Sequence, residues 1–124
     1  MKTVIQSKHA PAAVGPYSQA IDIGEFVFCS GQIPLVPETG LMVEGGIEEQ
    51  ARQMFANIKA VLAEAGLGFE NIIKTTVFMT DLGQFAVFNG IYAEYFPDNL
   101  SVHCRSHADA YRCAGCIRVE GVLR

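Results

Sequence analysis

Residues 47–79, IEEQARQMFANIKAVLAEAGLGFENIIKTTVFM, indicate the fold class, because they contain a helix pattern followed by a strand pattern. In its first half the apolar residues recur at the spacing of one helical face, at Ile47, Ala51, Met54, Phe55, Ile58, Val61 and Leu62. Glu48 and Glu49 suit the first turn of this helix, and Gly66 follows as a stop signal. Ile72–Met79 is apolar and β-branched, which is typical of a buried strand.

The flanking sequence adds three strands and a second helix. Thr3–Gln6 and Glu25–Ser30 read as strands, separated in part by the Pro/Gly/Ala loop Ala10–Pro16. A helix over roughly Gln84 to Phe96 and a last strand, Ile117–Leu123, follow the central stretch. The order β-β-α-β-α-β predicts an α+β fold in which two helices cover one face of a sheet.

The other face of this sheet also needs cover. Ile72–Met79 has apolar residues on both of its sides, and half of all residues are hydrophobic. At 124 residues the chain has the size of one domain, 1–124, so a second core within it is not expected. A symmetric partner is the simplest cover, and we therefore expect an oligomer.

Charge and composition exclude several classes of protein. The net charge is −4, and the nine Lys and Arg residues form no cluster, which argues against nucleic acid as a partner. Met1–Pro11 has no apolar signal region and no segment reaches about 20 apolar residues, so we expect no membrane partner and a cytoplasmic location. In that compartment the four cysteines are expected to be thiols, with Cys29 in the core.

Three motifs carry a resemblance to a known family. They are Ala10–Gln19 (APAAVGPYSQ), Ser30–Pro34 (SGQIP) and Lys74–Phe78 (KTTVF), the last followed by Asp81-Leu82. In this order and spacing they resemble the RidA/YjgF family of reactive-imine deaminases, from about Val4 to Phe96. The resemblance implies a chorismate-mutase-like α+β fold and a homotrimer with a barrel-like core and clefts between subunits. It also implies hydrolysis of 2-imino acids to 2-keto acids and ammonia, without metal or organic cofactor.

The resemblance also assigns the site. Arg105 would pair with the substrate carboxylate, since a planar guanidinium grips two oxygens at once. Glu120 would accept a proton from the attacking water, a step worth about 10²–10⁴-fold. These two are the catalytic candidates. The other substrate-binding positions that the family motifs assign are Tyr17, Ser30, Gly31 and Asn89. Taken alone, all six have plainer explanations as loop-packing, turn or surface residues.

Residues 100–116, LSVHCRSHADAYRCAGC, depart from the family. The family has a Pro-x-Arg-Ser there, followed by a β-branched strand and an Arg-Leu-Pro turn. Only Arg105-Ser106 and Arg112 offer a match to that pattern, and strand propensity is poor. An ungapped match from Arg105 places the catalytic acid on Glu120. A match of Val119-Glu120-Gly121 to a later Glu-Ala pair instead places Arg118 at the acid's position.

The same segment permits a zinc hypothesis. Cys104, His107, Cys113 and Cys116 are zinc-ligand types, but the spacing is not that of a standard finger, and residues on one extended strand alternate faces. A compensated frame slip in the coding sequence is the simpler explanation of this segment, and sequencing the DNA tests it.

Three functions therefore compete. The first is deamination of 2-iminobutanoate, 2-iminopropanoate or similar acids. The second is a non-catalytic trimer that binds a 2-keto acid. The third is the endoribonuclease or translation-inhibitor activity described for other family members, which the acidic charge disfavours.

Overall fold

The computed structural model describes the backbone of residues 1–97, 102–107 and 115–123, and the side chains of residues 1–97 and Val122. This part of the chain contains six strands and two α-helices. The strands are β1 (Thr3–Ile5), β2 (Ala20–Asp22), β3 (Phe26–Cys29), β4 (Ile72–Met79), β5 (Val102–His107) and β6 (Gly115–Leu123). The helices are α1 (Ile47–Glu64) and α2 (Phe85–Tyr95), and short 3₁₀ turns, Phe69–Asn71 and Leu82–Gln84, precede β4 and α2.

The strands form one sheet in the order β1-β2-β3-β6-β4-β5. Neighbouring strands are antiparallel except for β4 and β5, which are parallel. Val122 of β6 pairs with Val27 of β3 on one side and with Ile72 of β4 on the other. The last strand of the chain therefore lies in the middle of the sheet.

Hydrogen bonds at both ends of helix α1 explain where it begins and ends. The Glu49 carboxylate accepts the N–H of Gly46 at 2.9 Å, which satisfies a donor that the first turn leaves free. At the other end Gly66 adopts a left-handed φ of 74°, and the N–H of Leu67 donates to the carbonyl of Leu62 at 2.9 Å. The buried face consists of Ala51, Met54, Phe55, Asn57, Ile58, Val61 and Leu62.

The two helices cover one face of the sheet. Val77 and Met79 of β4 are buried in the core that the helices share. The Thr75 hydroxyl lies 3.0 Å from the Tyr92 hydroxyl, which joins β4 to α2 by a buried hydrogen bond. Asp81, which follows β4, accepts the N–H of Gly83 at 2.9 Å and so caps the turn that leads into α2.

The opposite face of the sheet carries an apolar row. Val4, Ile21 and Phe28 are aligned in register across β1, β2 and β3. Val4 is 59% exposed and Phe28 is 51% exposed, although each neighbours a buried residue of its own strand. Exposed apolar surface of this kind marks a site of interaction.

The α+β class, both helices and all four predicted strands are confirmed, and β4 has the predicted bounds. Two strands, β2 and β5, were not predicted, so the observed order is β-β-β-α-β-α-β-β. Strand β5 lies in the segment whose propensity for strand is poor, and it forms because it pairs along its whole length with β4. No helix among the described residues is long and apolar enough to cross a bilayer.

Candidate functional site

Ser30 fixes the loop that precedes β2. Its backbone N–H donates to the carbonyl of Gln19 at 2.9 Å, and its hydroxyl donates to the carbonyl of Ser18 at 2.5 Å. Both bonds join the end of β3 to the residues that follow Tyr17. The Ser30 side chain, predicted to bind substrate, is therefore half-buried and already engaged with the protein backbone.

Tyr17 lies at the rim of this loop with 49% of its surface exposed. Its N–H donates to the carbonyl of Gly15 at 2.8 Å, and its hydroxyl accepts the N–H of Val14 at 3.3 Å. The ring lies over Gly15, where an added Cβ would meet ring carbons at 3.6 Å. One face of the ring is thus held by its own loop.

Tyr17 and Gly31 share a hollow of about 50 Å³. Its lining residues are Pro11, Val14, Tyr17, Gln19, Gly31, Gln32, Ile33 and Leu35. Two of the predicted substrate-binding residues are therefore brought together by loops far apart in sequence. A hollow of this size holds a few water molecules, so a second surface is needed to enclose a carboxylic acid.

A larger open hollow of about 250 Å³ lies against β1 and also reaches Tyr17. Its described lining is Val4, Ile5, Gln6, Ala12, Ala13, Gly15, Tyr17, Ser18 and Gln19. The loop that carries Tyr17 therefore separates two hollows and contributes to both.

Asn89 occupies an exposed position on α2. Asn89 does not belong to the described lining of either hollow. The two hollows that contain Tyr17 therefore do not extend to Asn89 within one chain.

The two catalytic candidates lie on strands that flank β4. Arg105 of β5 pairs with Val77, and Glu120 of β6 pairs with Lys74. Arg118, the alternative occupant of the acid position, pairs with Thr76. The side chains of Arg105, Arg118 and Glu120 lie outside the described residues, so their roles stay predictions.

Cys29 behaves as the predicted core thiol. It is partly buried against the hydrophobic core, and burial raises its pKa from 9.0 to about 11. The thiol is therefore protonated and unreactive near neutral pH. The proposed zinc ligands Cys104, His107, Cys113 and Cys116 have side chains outside the described residues, and the zinc hypothesis stays a hypothesis.

Two buried amides were not singled out from the sequence. Gln19 is 3% exposed and Asn57 is 1% exposed, and each holds a loop beside the Tyr17–Gly31 hollow through hydrogen bonds described below. Asn57 carried a usable signal, because it lies three residues after Met54 and four before Val61 on the apolar face of α1. A polar residue in such a position needs a buried partner.

The described residues define an α+β protein with a small surface hollow lined by Tyr17 and Gly31. The sequence profile of the family described as Endoribonuclease L-PSP matches residues 7–120. TdcF of Escherichia coli strain K12, whose name assigns it provisionally to reactive intermediate deaminases, is 41% identical over 119 residues, which cover 96% of this chain and 85% of TdcF. The chain belongs to the RidA/YjgF family.

Solved structures agree with this assignment. YyfA of Yersinia pestis, described as a member of the conserved Rid family, superposes with a TM-score of 0.90 at 40% identity, covering 99% of this chain and 98% of YyfA. Escherichia coli TdcF with bound serine superposes with a TM-score of 0.89 at 35% identity, covering 98% of both chains. The fold of the family extends over essentially the whole chain.

Proposed function

We propose that this protein hydrolyses 2-imino acids, such as 2-iminobutanoate and 2-iminopropanoate, to 2-keto acids and ammonia. The observation that carries the proposal is the 41% identity to TdcF over 96% of the chain. The bound serine in the TdcF structure supports it, because serine has a nitrogen on the carbon next to its carboxylate, as a 2-imino acid does.

In the proposed reaction Arg105 holds the substrate carboxylate through paired hydrogen bonds, which fixes the C=N carbon in place. Glu120 accepts a proton from water as the water oxygen bonds to that carbon. That proton passes to the imine nitrogen, which gives a carbinolamine. The hydroxyl proton of the carbinolamine then moves to nitrogen as the C–N bond breaks, so that ammonia leaves and the carbonyl forms. No metal and no cofactor takes part in this scheme.

Tyr17, Ser30, Gly31 and Asn89 complete the proposed substrate-binding site. The exposed ring of Tyr17 offers an apolar surface for the substrate side chain. Gly31 is exposed and has no side chain, so a ligand can approach its backbone closely. Ser30 acts through its bond to Ser18, which holds the Tyr17 loop.

We further propose a homotrimer in which each cleft is completed by a neighbouring subunit. The apolar row Val4–Ile21–Phe28 supports association, because burying its exposed side chains releases water from apolar surface. The small volume of the Tyr17–Gly31 hollow supports a site shared between chains. A trimer has a mass near 40 kDa, three times 13.5 kDa, and sedimentation equilibrium at several concentrations would test it. A monomer at micromolar concentration would exclude the shared site.

The deaminase proposal is tested by the decay rate of freshly generated 2-iminobutanoate with and without the protein. Arg105→Ala is expected to abolish the acceleration, and Arg105→Lys is expected to retain only part of it, since an ammonium lacks the two-pronged grip. Undiminished turnover in Arg105→Ala would refute the anchoring role. Glu120→Gln and Arg118→Gln separate the two possible acid positions: only the first is expected to lose turnover.

The non-catalytic trimer remains the second candidate because residues 100–116 depart from the family sequence while the fold is retained. It predicts saturable binding of 2-ketobutyrate without turnover of the imine. Calorimetric titration beside the decay assay distinguishes the two functions, and measurable turnover excludes the second.

A further inference from the structure

The loop over residues 7–11 has no regular structure, and the Gln19 side chain forms hydrogen bonds with several of its backbone N–H and C=O groups. The Gln19 amide oxygen accepts the N–H of Ser7 at 2.5 Å. Its amide nitrogen lies 3.1 Å from the carbonyl of Ser7, 2.9 Å from that of Pro11 and 3.4 Å from that of Ala10. Because buried backbone groups need partners, Gln19 holds both ends of this loop in one place.

Asn57 does the same for the loop after β3. Its amide nitrogen donates to the carbonyls of Ile33 at 3.2 Å and Leu35 at 2.9 Å, and its oxygen accepts from the Gln53 side chain at 2.9 Å. Both amide hydrogens are thus used on the loop. Asn57 is 1% exposed on the core face of α1, so the loop is fixed to the buried side of that helix.

These two loops form the opposite walls of the Tyr17–Gly31 hollow. Pro11, Val14 and Tyr17 line one wall, and the other is lined by Gly31, Gln32, Ile33 and Leu35. Gln19 also lines the hollow itself. Each wall is attached to the protein interior by a buried amide whose NH₂ group donates to backbone carbonyls of that wall.

We propose that Gln19 and Asn57 are positioning residues that set the width of the substrate cleft by fixing these two walls. The inference rests on the proposed function, in which Tyr17 and Gly31 contact the imino acid. A wall that shifts weakens the contacts of Tyr17 and Gly31 with the substrate, whereas Arg105 and Glu120 are carried by strands of the sheet. Loss of either amide should therefore weaken substrate binding more than it slows the chemical step.

The test compares Gln19→Met and Asn57→Leu, which keep the volume but remove the amides, with the wild-type protein. We expect KM for 2-iminobutanoate to rise about tenfold or more, with kcat changed less than about threefold. A residue that only stabilises the fold would instead lower the active fraction, so apparent kcat would fall and KM would stay constant. That second pattern, or unchanged KM and kcat in both variants, would overturn the proposal.

Gln53→Ala provides the matched control, because it removes the bond to the Asn57 oxygen but leaves both bonds from Asn57 to the loop. Its KM is expected to equal that of the wild type. If either amide variant fails to fold, Gln19→Asn and Asn57→Gln, which keep an amide at the wrong length, are measured by the same criterion.

Hydrogen exchange gives a readout independent of turnover. In Gln19→Met, or in Gln19→Asn if that variant replaces it, exchange at the Ser7 amide is expected to accelerate by about tenfold, since its only described acceptor is the Gln19 oxygen. Unchanged exchange would overturn the role of Gln19.

If the wild type neither turns over imine nor binds 2-ketobutyrate, the proposed function fails and the positioning role fails with it. If the wild type is active and the variants keep its KM, only the positioning role fails.

Discussion

Replacing Phe55 by alanine is expected to destabilise the protein more than any other single truncation on α1. Phe55 is fully buried, and its ring centroid lies 4.3 Å from that of Tyr95 and 5.9 Å from that of Tyr92. Three further rings, those of Phe69, Phe88 and Phe96, lie at 6.0–6.2 Å. One side chain therefore joins α1 to α2 and to the turn before β4.

The magnitude follows from these contacts. Truncation of a buried Phe to Ala costs about 3–5 kcal/mol in total, and aromatic partners move a site toward the upper end of that range. With five ring partners we expect a loss of about 5 kcal/mol, which is a large part of the roughly 5–15 kcal/mol that stabilises a typical domain. At about 4 °C per kcal/mol for a chain of this length, Tm should fall by about 20 °C.

The assay is urea unfolding followed by far-ultraviolet circular dichroism, at one fixed protein concentration because an oligomer's stability depends on concentration. Phe55→Leu should lose about 1–2 kcal/mol, since most of the volume is kept. Val87→Ala, at a 53% exposed position of α2, is the control and should change stability by less than about 0.5 kcal/mol. A loss below about 2 kcal/mol for Phe55→Ala would refute the role of Phe55 as the centre of the aromatic core.

Further predictions concern single interactions. A double-mutant cycle of Thr75→Val and Tyr92→Phe should give a coupling of about 1 kcal/mol or more, because each single change deprives a buried hydroxyl of its 3.0 Å partner; strictly additive losses would contradict this. Burial raises the pKa of Cys29 from 9.0 to about 11, because the folded state disfavours the thiolate; the thiol leaves stability unchanged below pH 9, and stability should fall by up to about 3 kcal/mol as pH rises from 9 to 11. Wild type should therefore lose urea resistance relative to Cys29→Ala over that window, and a constant difference would disprove it. Glu94→Gln should cost less than about 0.5 kcal/mol, because its 2.9 Å ion pair with Arg52 is solvent-exposed, and a salt titration checks it.

The sequence predicted those elements whose local pattern and tertiary environment agree. Helix α1 has an unbroken apolar face and a Gly66 stop, and β4 is apolar between polar ends, so both were located closely. Strand β2 was missed because three residues, one of them Ala20 and another Asp22, carry little strand propensity. It forms because β1 and β3 pair with it on both sides.

The sequence motifs name candidate residues for the site but not its geometry. The motifs pointed to Tyr17 and Gly31, and the structure brings these two together in one hollow. Nothing local indicates that the Gln19 amide meets Pro11 or that the Asn57 amide meets Leu35, since these bonds join residues 8 and 22 positions apart. Long-range hydrogen bonds of this kind form only in the completed fold, so a pattern of apolar residues along the sequence does not predict them.

Strand β4 explains why the fold is retained although residues 100–116 depart from the family sequence. This strand pairs with β5 along one edge and with β6 along the other, through backbone hydrogen bonds that do not depend on side-chain identity. Residues 102–107 can therefore lose strand propensity and still form a strand, and the chain superposes on TdcF over 98% of its length. Since a fold of this kind does not by itself specify chemistry, activity depends on the few side chains that the sheet carries. The deaminase proposal thus depends on positions 105, 118 and 120 and on the two walls fixed by Gln19 and Asn57, and each of these can be changed without removing the sheet that supports them.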